Sequence, residues 1–463
     1  MKKFISIILI LSFFVCFSGC NGTDNQESAV SSESSSNESV SLEASSKPEA
    51  SQENTSMPES GASAEESFPM VEPTPEDVVV SFIACADNLV HHSMYYDALE
   101  RAAERDGVTP EYTDLHNNTY DFSPIYSLIA EDVKNADISY INQESLIGGD
   151  SKPISAYPRF NTPVPMANAV KDVGFDVVNV AHNHMLDSGN TDFLKYSYNL
   201  FENLGVKVLG YYPDEKSTED ILIIERQGIK VAFLTYTYDT NGIKNKDDFV
   251  IPYFERELME KQVALAKEKA DIVIASCHWG NEYSFNPNKM QKENAKLLCE
   301  LGVDVIVGMH PHCIQPMEWL TAENGHKTLV TYSLGTMVSG IRKGMSTLAG
   351  MLSFDIIRDG ISGEVYIDSP LFIPTVAHYT RGKSVADNDS GSRNFTVYPL
   401  ADYTQDIAKE HSLVRAEKKD GTTLVGGGFS RETLLKTVRK YIPEEFLPEL
   451  GDKKEGVLNN EIQ

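Results

Sequence analysis

From about residue 76 onward, short continuous apolar runs alternate with longer stretches in which apolar residues return every three or four positions. The first kind predicts buried strands over 78–86, 137–143, 175–181, 206–210, 271–278, 303–310 and 329–333. The second predicts helices over 94–104, 124–134, 165–173, 190–204, 255–270 and 287–301. Residues 221–238, broken at Gln227-Gly228, read as an antiparallel hairpin, and another hairpin crosses Asp359-Gly360. Alternation with an antiparallel part predicts an α/β sandwich with mixed sheets rather than a purely doubly wound fold. One more amphipathic helix is expected over 430–441, and no function attaches to the C-terminal extension 386–463.

The first 75 residues obey a different pattern. Lys2 and Lys3 precede an apolar run over 4–17 that is shorter than the roughly 20 residues a membrane-spanning helix needs. The run ends at Phe17-Ser18-Gly19-Cys20, which resembles a bacterial lipobox with Phe17 where Leu is usual. Residues 1–20 are therefore expected to be a lipoprotein signal peptide, and Cys20 the lipidated residue. Residues 21–75 hold fifteen Ser, ten Glu and one Asp against one Lys, with almost no aromatic or β-branched residues. Such a stretch buries too little apolar surface to offset its ordering entropy and is expected to be a disordered tether. The domain behind it, 76–385, is then expected to sit on the extracellular face of a bacterial cell membrane, held there through its lipid anchor.

Composition narrows the partners. The 463-residue chain is 41% hydrophobic, enough for a large core, and carries a formal net charge of −28. A surface this acidic repels phosphate backbones, so nucleic acid is not an expected partner. Cys85, Cys277, Cys299 and Cys313 match no zinc-knuckle or disulfide spacing and lie in apolar stretches, where a cysteine acts as a small buried hydrophobe.

The chemistry gathers at strand ends. Asp87 closes the first strand, and Asn142, Gln143 and Glu144 close the second. His182-Asn183-His184, His278-Trp279-Gly280 and His310-Pro311-His312 end three others. In α/β sheets the carboxyl ends of parallel strands share one edge, where ligands bind. A lone strand-end His or Asp is ordinarily a hydrogen-bonded loop residue. Here, however, five of the chain's eleven histidines fall in three such segments. Imidazole and carboxylate suit one or two divalent metal ions such as Mn, Fe or Zn. A bridging carboxylate can hold two of them, an arrangement that activates water against phosphate esters, and a spare histidine can protonate a leaving group.

The segments NQE (142–144), FDVVNVAHNHMLDSG (175–189), HWGNEY (278–283), GVDVIVGMHPHCIQP (302–316) and YSLGT (332–336) resemble the capsule-synthesis CapA/PgsA family of poly-γ-glutamate biosynthesis proteins. That family is similar to the calcineurin-like metallophosphoesterases, so the resemblance implies a four-layer α/β/β/α sandwich. It implies Asp87 as the first-strand ligand and Glu144 as the bridging carboxylate. Asn183, His278 and His310 would hold one metal, and His312 would join Asp87 and Glu144 on the other. His184 falls where such phosphoesterases keep their general acid. Asn142, His182, Asp187 and Glu282 would support the ligands or touch substrate. Metallophosphoesterases usually carry Asp-x-His on the first strand, whereas Asp87 is followed by Asn88 and Leu89, with His91 and His92 next.

Three readings follow. The first is a surface component of poly-γ-glutamate, or related anionic polymer, synthesis and export, working with membrane-bound synthase subunits. The second is a divalent-metal-dependent hydrolase of a phosphoester or polymer end, taking a small substrate or an anionic polymer. The third is a non-catalytic, metal-stabilised module that binds polymer or partners.

Overall fold

The computed structural model describes residues 75–415 and 424–450; Cys20 and the signal and tether segments lie outside the described residues. The strand expected over 78–86 is β1 (Val78–Leu89), and the helix after it is α1 (His92–Asp106). The helix expected over 124–134 is broken. Residues Ser123–Ile125 form a 3₁₀ turn, and only α2 (Ala130–Asn135) is α-helical. Bonds of i→i+3 type at Ile125, Tyr126 and Ile129 tighten the backbone there. The Tyr126 hydroxyl in this stretch donates to Asn88 Oδ1 at 2.8 Å, a tertiary contact that overrides helical periodicity.

The next elements are β2 (Ile138–Asn142), α3 (Pro165–Val173), β3 (Val177–Asn179), α4 (Asp192–Asn203) and β4 (Lys207–Leu209). The hairpin at Gln227-Gly228 joins β5 (Leu222–Arg226) to β6 (Ile229–Thr237). Both loop residues have positive φ, 50° and 80°, the twist that a two-residue type I′ turn needs. Then come α5 (Arg256–Lys269), β7 (Ile272–His278), α6 (Lys289–Leu301) and β8 (Val305–Met309). The edge pair β9 (Met317–Thr321) and β10 (Lys327–Thr331) follows, then β11 (Thr336–Ser339), with the second hairpin formed by β12 (Leu348–Arg358) and β13 (Val365–Arg381). Beyond 385, β14 (Ser392–Pro399) pairs antiparallel with β13, and α7 (Gln405–Glu410) and α8 (Arg431–Tyr441) close the described chain.

Two mixed sheets result. One runs β14-β13-β12-β1-β2-β3-β4, with β11 pairing the end of β1; the other runs β5-β6-β7-β8-β10-β9. β1 to β4 are parallel, as are β6, β7, β8 and β10. The sheets pack on each other: Phe82 of β1 lies 6.2 Å from Phe233 of β6, and the Tyr140 hydroxyl meets Ser276 Oγ at 2.6 Å. A second apolar cluster fills the space between β6, β7, β8 and the helices α5 and α6, so helices cover the outer face of that sheet. This is the α/β/β/α layering with mixed sheets. Cys85, Cys277, Cys299 and Cys313 are free and buried. Among the described residues no helix is long and apolar enough to cross a membrane.

Candidate metal centre

The carboxyl ends of β1, β2 and β3 in one sheet and of β7 and β8 in the other converge on one buried cluster. Asp87 lies near the end of β1 at a register shift, where the edge that pairs with β12 as far as Cys85 turns to β11 while β2 continues along the other edge. Its Oδ1 accepts from Asn142 Nδ2 at 2.7 Å, and its Oδ2 accepts from the His310 backbone N–H at 3.2 Å. Asn142 accepts in turn from Asn179 Nδ2 at 2.8 Å, and Asn179 accepts from the Thr235 hydroxyl at 2.9 Å. A ladder of amides thus fixes the first carboxylate across three strands and into the facing sheet. Sequence reading missed Asn179; its signal was that it sits directly beside Asn142 in parallel register.

Glu144 and the histidines fill the space between the sheets. Ring nitrogens of His278 and His312 lie 3.7 and 3.6 Å from Glu144 Oε1, and His312 Nδ1 lies 3.5 Å from Asp87 Oδ2. Asn183 Oδ1 sits 3.0 Å from His278 Nε2. His310 and His312 reach the cluster through left-handed backbone, φ 95° and 53°, which costs a non-glycine residue about 1–3 kcal/mol. The cost is tolerated where surrounding structure fixes the turn, here by the bond from the His310 N–H to Asp87. Two triads have ligand atoms all within 4.8 Å of one another, Glu144-His278-His310 and Asp87-Glu144-His312, and Glu144 is common to both.

Electrostatics fits a divalent cation in this cluster. Both Glu144 carboxylate oxygens, His278 Nδ1 and His310 Nδ1 are buried without a hydrogen-bond partner among the described residues. Burial pushes the Glu144 carboxyl well above its ordinary range, and Asp87, Glu282 and Asp187 push it further. Burial first, then neighbouring histidines, holds His278 and His310 well below theirs. Burial does the same to His182. Neutral imidazoles beside an unpartnered carboxylate form a donor set that a divalent metal would satisfy.

His184 stands beside this cluster. Its Nδ1 lies 2.9 Å from Asp187 Oδ2, and the Asn241 amide nitrogen approaches the same atom at 3.3 Å. The shorter carboxylate contact decides the tautomer: Nδ1 carries the proton and donates to Asp187. Asp187 also accepts from the Phe160 N–H at 2.7 Å, which fixes the carboxylate. His182 lies behind, its Nδ1 accepting from the His184 N–H at 3.1 Å. Glu282 is exposed at the rim. Leu89, the position at which the resemblance would lead one to expect a histidine, is buried, and His91 Nδ1 lies 3.2 Å from the Leu89 carbonyl. Neither His91 nor His92 belongs to either triad. Thr336 places its hydroxyl 3.1 Å from His312 Nδ1.

A cavity of about 300 Å³ opens over Asn183 and His184, walled by Tyr157, Arg159, Asn241, Ile243 and Glu282. None of Tyr157, Arg159, Asn241 and Ile243 was singled out from the sequence, because loop residues carry no periodic signal. A larger cavity, about 480 Å³, lies between α6 and β9, lined by Lys296, Glu318 and Tyr332 and by none of the candidate residues.

The family described as bacterial capsule synthesis protein PGA_cap matches residues 81–341, more than half of the chain and all of the clustered residues above. The chain belongs to this family. Among its relatives are the PGA biosynthesis protein CapA of Bacillus subtilis, 33% identical over 174 residues, and the capsule biosynthesis protein CapA of Bacillus anthracis, 32% identical over 176. These alignments cover 36% and 37% of this chain and 44% and 41% of the relatives, so the chain spans less than half the length of the curated relatives it matches. A solved structure of a novel phosphatase from Mycoplasma pneumoniae is 12% identical with a TM-score of 0.38, covering 65% of this chain and 95% of that one, a similarity too loose to bear on the fold.

Proposed function

We propose that this capsule-synthesis family member is a surface-anchored component of poly-γ-glutamate, or related anionic polymer, synthesis and export. In this reading its metal centre acts hydrolytically on the polymer or its end. The observation that carries the chemistry is Glu144, a fully buried carboxylate with neither oxygen hydrogen-bonded among the described residues, shared by two histidine-containing triads. Glu144, His278 and His310, with Asn183, would hold one divalent ion (Mn, Fe or Zn), and Asp87, Glu144 and His312 the other. Bound metal would supply Lewis-acid polarisation and an activated water. Asp87 is positioned for this by the amide ladder, and Asp187 holds His184 through Nδ1–H, so that Nε2, when the ring carries a second proton as imidazolium, would give it to a leaving group. Cys20 as the lipid attachment point and 21–75 as the tether would keep this chemistry at the extracellular membrane face, beside membrane-bound synthase subunits.

The test is metal analysis and metal-supplemented hydrolysis of γ-linked glutamate polymer and of an aryl phosphodiester, with mass spectrometry of the membrane-extracted N-terminus. We expect His184→Ala to keep its metal and lose roughly 10²–10⁴-fold in turnover. Asp87→Ala and His310→Ala should lose metal as well. Equal turnover in wild type and His184→Ala rejects the acid role. An inactive, metal-loaded wild type leaves the binding-module reading, and an unmodified Cys20 rejects the anchor.

A further inference from the structure

The cavity over His184 has a composition that the metal chemistry does not require. Arg159 lines it and is exposed, and among the described residues its guanidinium makes no hydrogen bond or ion pair. Glu282 lines the same cavity and forms no ion pair with Arg159. The same cavity is lined by two apolar groups, Ile243 and the ring of Tyr157, which is 69% exposed. The floor is Asn183 and His184.

A pocket for a simple anion would have no use for Glu282, which repels it, and a pocket for a cation no use for Arg159. Both are used by a group that carries a carboxylate and an ammonium on one carbon. Arg159 presents a planar fork of donors that matches a carboxylate. Glu282 accepts from an ammonium. Ile243 and Tyr157 suit a short methylene stretch, and the floor beside the metal centre is where an amide carbonyl would then lie. Resting on the polymer reading above, we propose that this cavity binds the amino-terminal residue of a γ-linked glutamate chain. Its free α-carboxylate goes to Arg159 and its α-ammonium to Glu282, with the γ-amide directed to His184.

Linkage chemistry makes the proposal specific. In a γ-linked chain the terminal residue keeps its α-carboxylate next to its α-ammonium. In an α-linked chain of the same composition and charge, that carboxylate is consumed in the amide bond. The cavity should therefore read the linkage.

The experiment is calorimetric titration of the full-length, detergent-solubilised chain with γ-linked triglutamate, α-linked triglutamate and inorganic phosphate. We expect the γ-linked trimer to bind at least about tenfold tighter than the α-linked one, the size of one charge-assisted hydrogen-bonded pair. Arg159→Ala and Glu282→Gln should each erase most of that preference, with metal content unchanged. Arg159 is exposed, so its replacement leaves the core intact. Equal affinity for the two trimers overturns the proposal, as does a preference that survives Arg159→Ala. If Arg159→Ala weakens phosphate as much as the γ-linked trimer, the cavity is a general anion site and the proposal fails. Failure of the function reading looks different. There the polymer is not cleaved by wild type, while linkage preference still depends on Arg159. Conversely, cleavage that needs His184 with no linkage preference retains the function and removes this pocket.

Discussion

Glu144 is the residue whose environment is least favourable to its own ionised form. It is fully buried, neither of its oxygens is hydrogen-bonded among the described residues, and burial with Asp87, Glu282 and Asp187 nearby raises its pKa above the ordinary 4.5. A raised folded-state value means that the folded, metal-free protein holds the proton longer than the unfolded chain. The stability this contributes is present below the ordinary carboxylate range and is lost as pH rises through the raised value. At neutral pH, with chelator present, Glu144→Gln should therefore be more stable than wild type by about 1–3 kcal/mol in urea unfolding, the cost of one unsatisfied buried polar group. Adding Mn²⁺ should reverse the order, because only wild type gains. A metal-free variant weaker than wild type would mean that Glu144 has a partner in the protein and is not waiting for a cation. The strand-end carboxylates and histidines were legible in the sequence because chain direction alone puts them at one sheet edge. Arg159 and Asn241 were not, since loops bring them there through contacts that no local pattern encodes. Asp187 was named from the sequence only as a residue that would support the ligands or touch substrate; its contact with His184 Nδ1 is seen in the fold.

At the scale of elements, apolar runs in sheet interiors were readable and the periphery was not. β7 and β8 are buried on both faces and read as unbroken hydrophobic runs. β9 and β14 are edge strands with exposed polar positions, and β11 is four residues long, set parallel to the last residues of β1; none of the three was anticipated. β14 is held by tertiary polar contacts: Asp97 of α1 accepts from the Asn394 and Phe395 N–H groups, and Arg393 pairs with Glu100 and Asp389. Beside it the C-terminal segment docks on β13 through a buried histidine pair. Burial lowers His378 to about 4, and burial with His378 nearby lowers His411 to about 3, from an ordinary 6.5. The groups facing the pair are Tyr379, Tyr398, Tyr403 and Phe429, and His411 Nε2 lies 3.1 Å from the Ala377 carbonyl. Depressed values keep their stability contribution above pH 6.5 and lose it as pH falls through 4 toward 3. The melting temperature should accordingly drop between pH 6.5 and 4, and this segment should become protease-sensitive first. The metal-centre histidines act in the same direction, so the measurement is the difference between wild type and His378→Gln/His411→Gln. If both lose stability in parallel over that range, the pair does not govern docking.

The two sheets of the whole molecule are tied at opposite edges by different chemistry. At the amino ends of the parallel strands the ties are part-exposed ion pairs. Arg226 at the end of β5 reaches Asp176 at 3.0 Å and the Asp137 carbonyl at 2.9 Å, and Arg358 of β12 reaches Asp271 at 3.3 Å. At the carboxyl ends the facing groups are the candidate ligands, with Asp87 and Glu144 from one sheet and His278, His310 and His312 from the other. A cation shared by those five side chains is a cross-link between sheets, whereas without it the Glu144 oxygens and the Nδ1 atoms of His278 and His310 have no hydrogen-bond partner among the described residues. Binding to the folded state alone adds about 2.7 kcal/mol when free metal is a hundredfold above its dissociation constant. That gain should be local before it is global. Amide hydrogen exchange, compared with and without chelator, should show faster exchange on metal removal at 85–89, 142–144, 278–283 and 309–313. Amides next to Asp137, Asp176, Arg226 and Asp271 should keep their protection, since their ion pairs do not depend on metal. Restoring Mn²⁺ or Zn²⁺ to wild type should restore protection in both sheets together, and should fail to do so in His310→Ala. Protection that changes in one sheet only, or evenly over the whole domain, would show that metal does not join the two sheets at this edge.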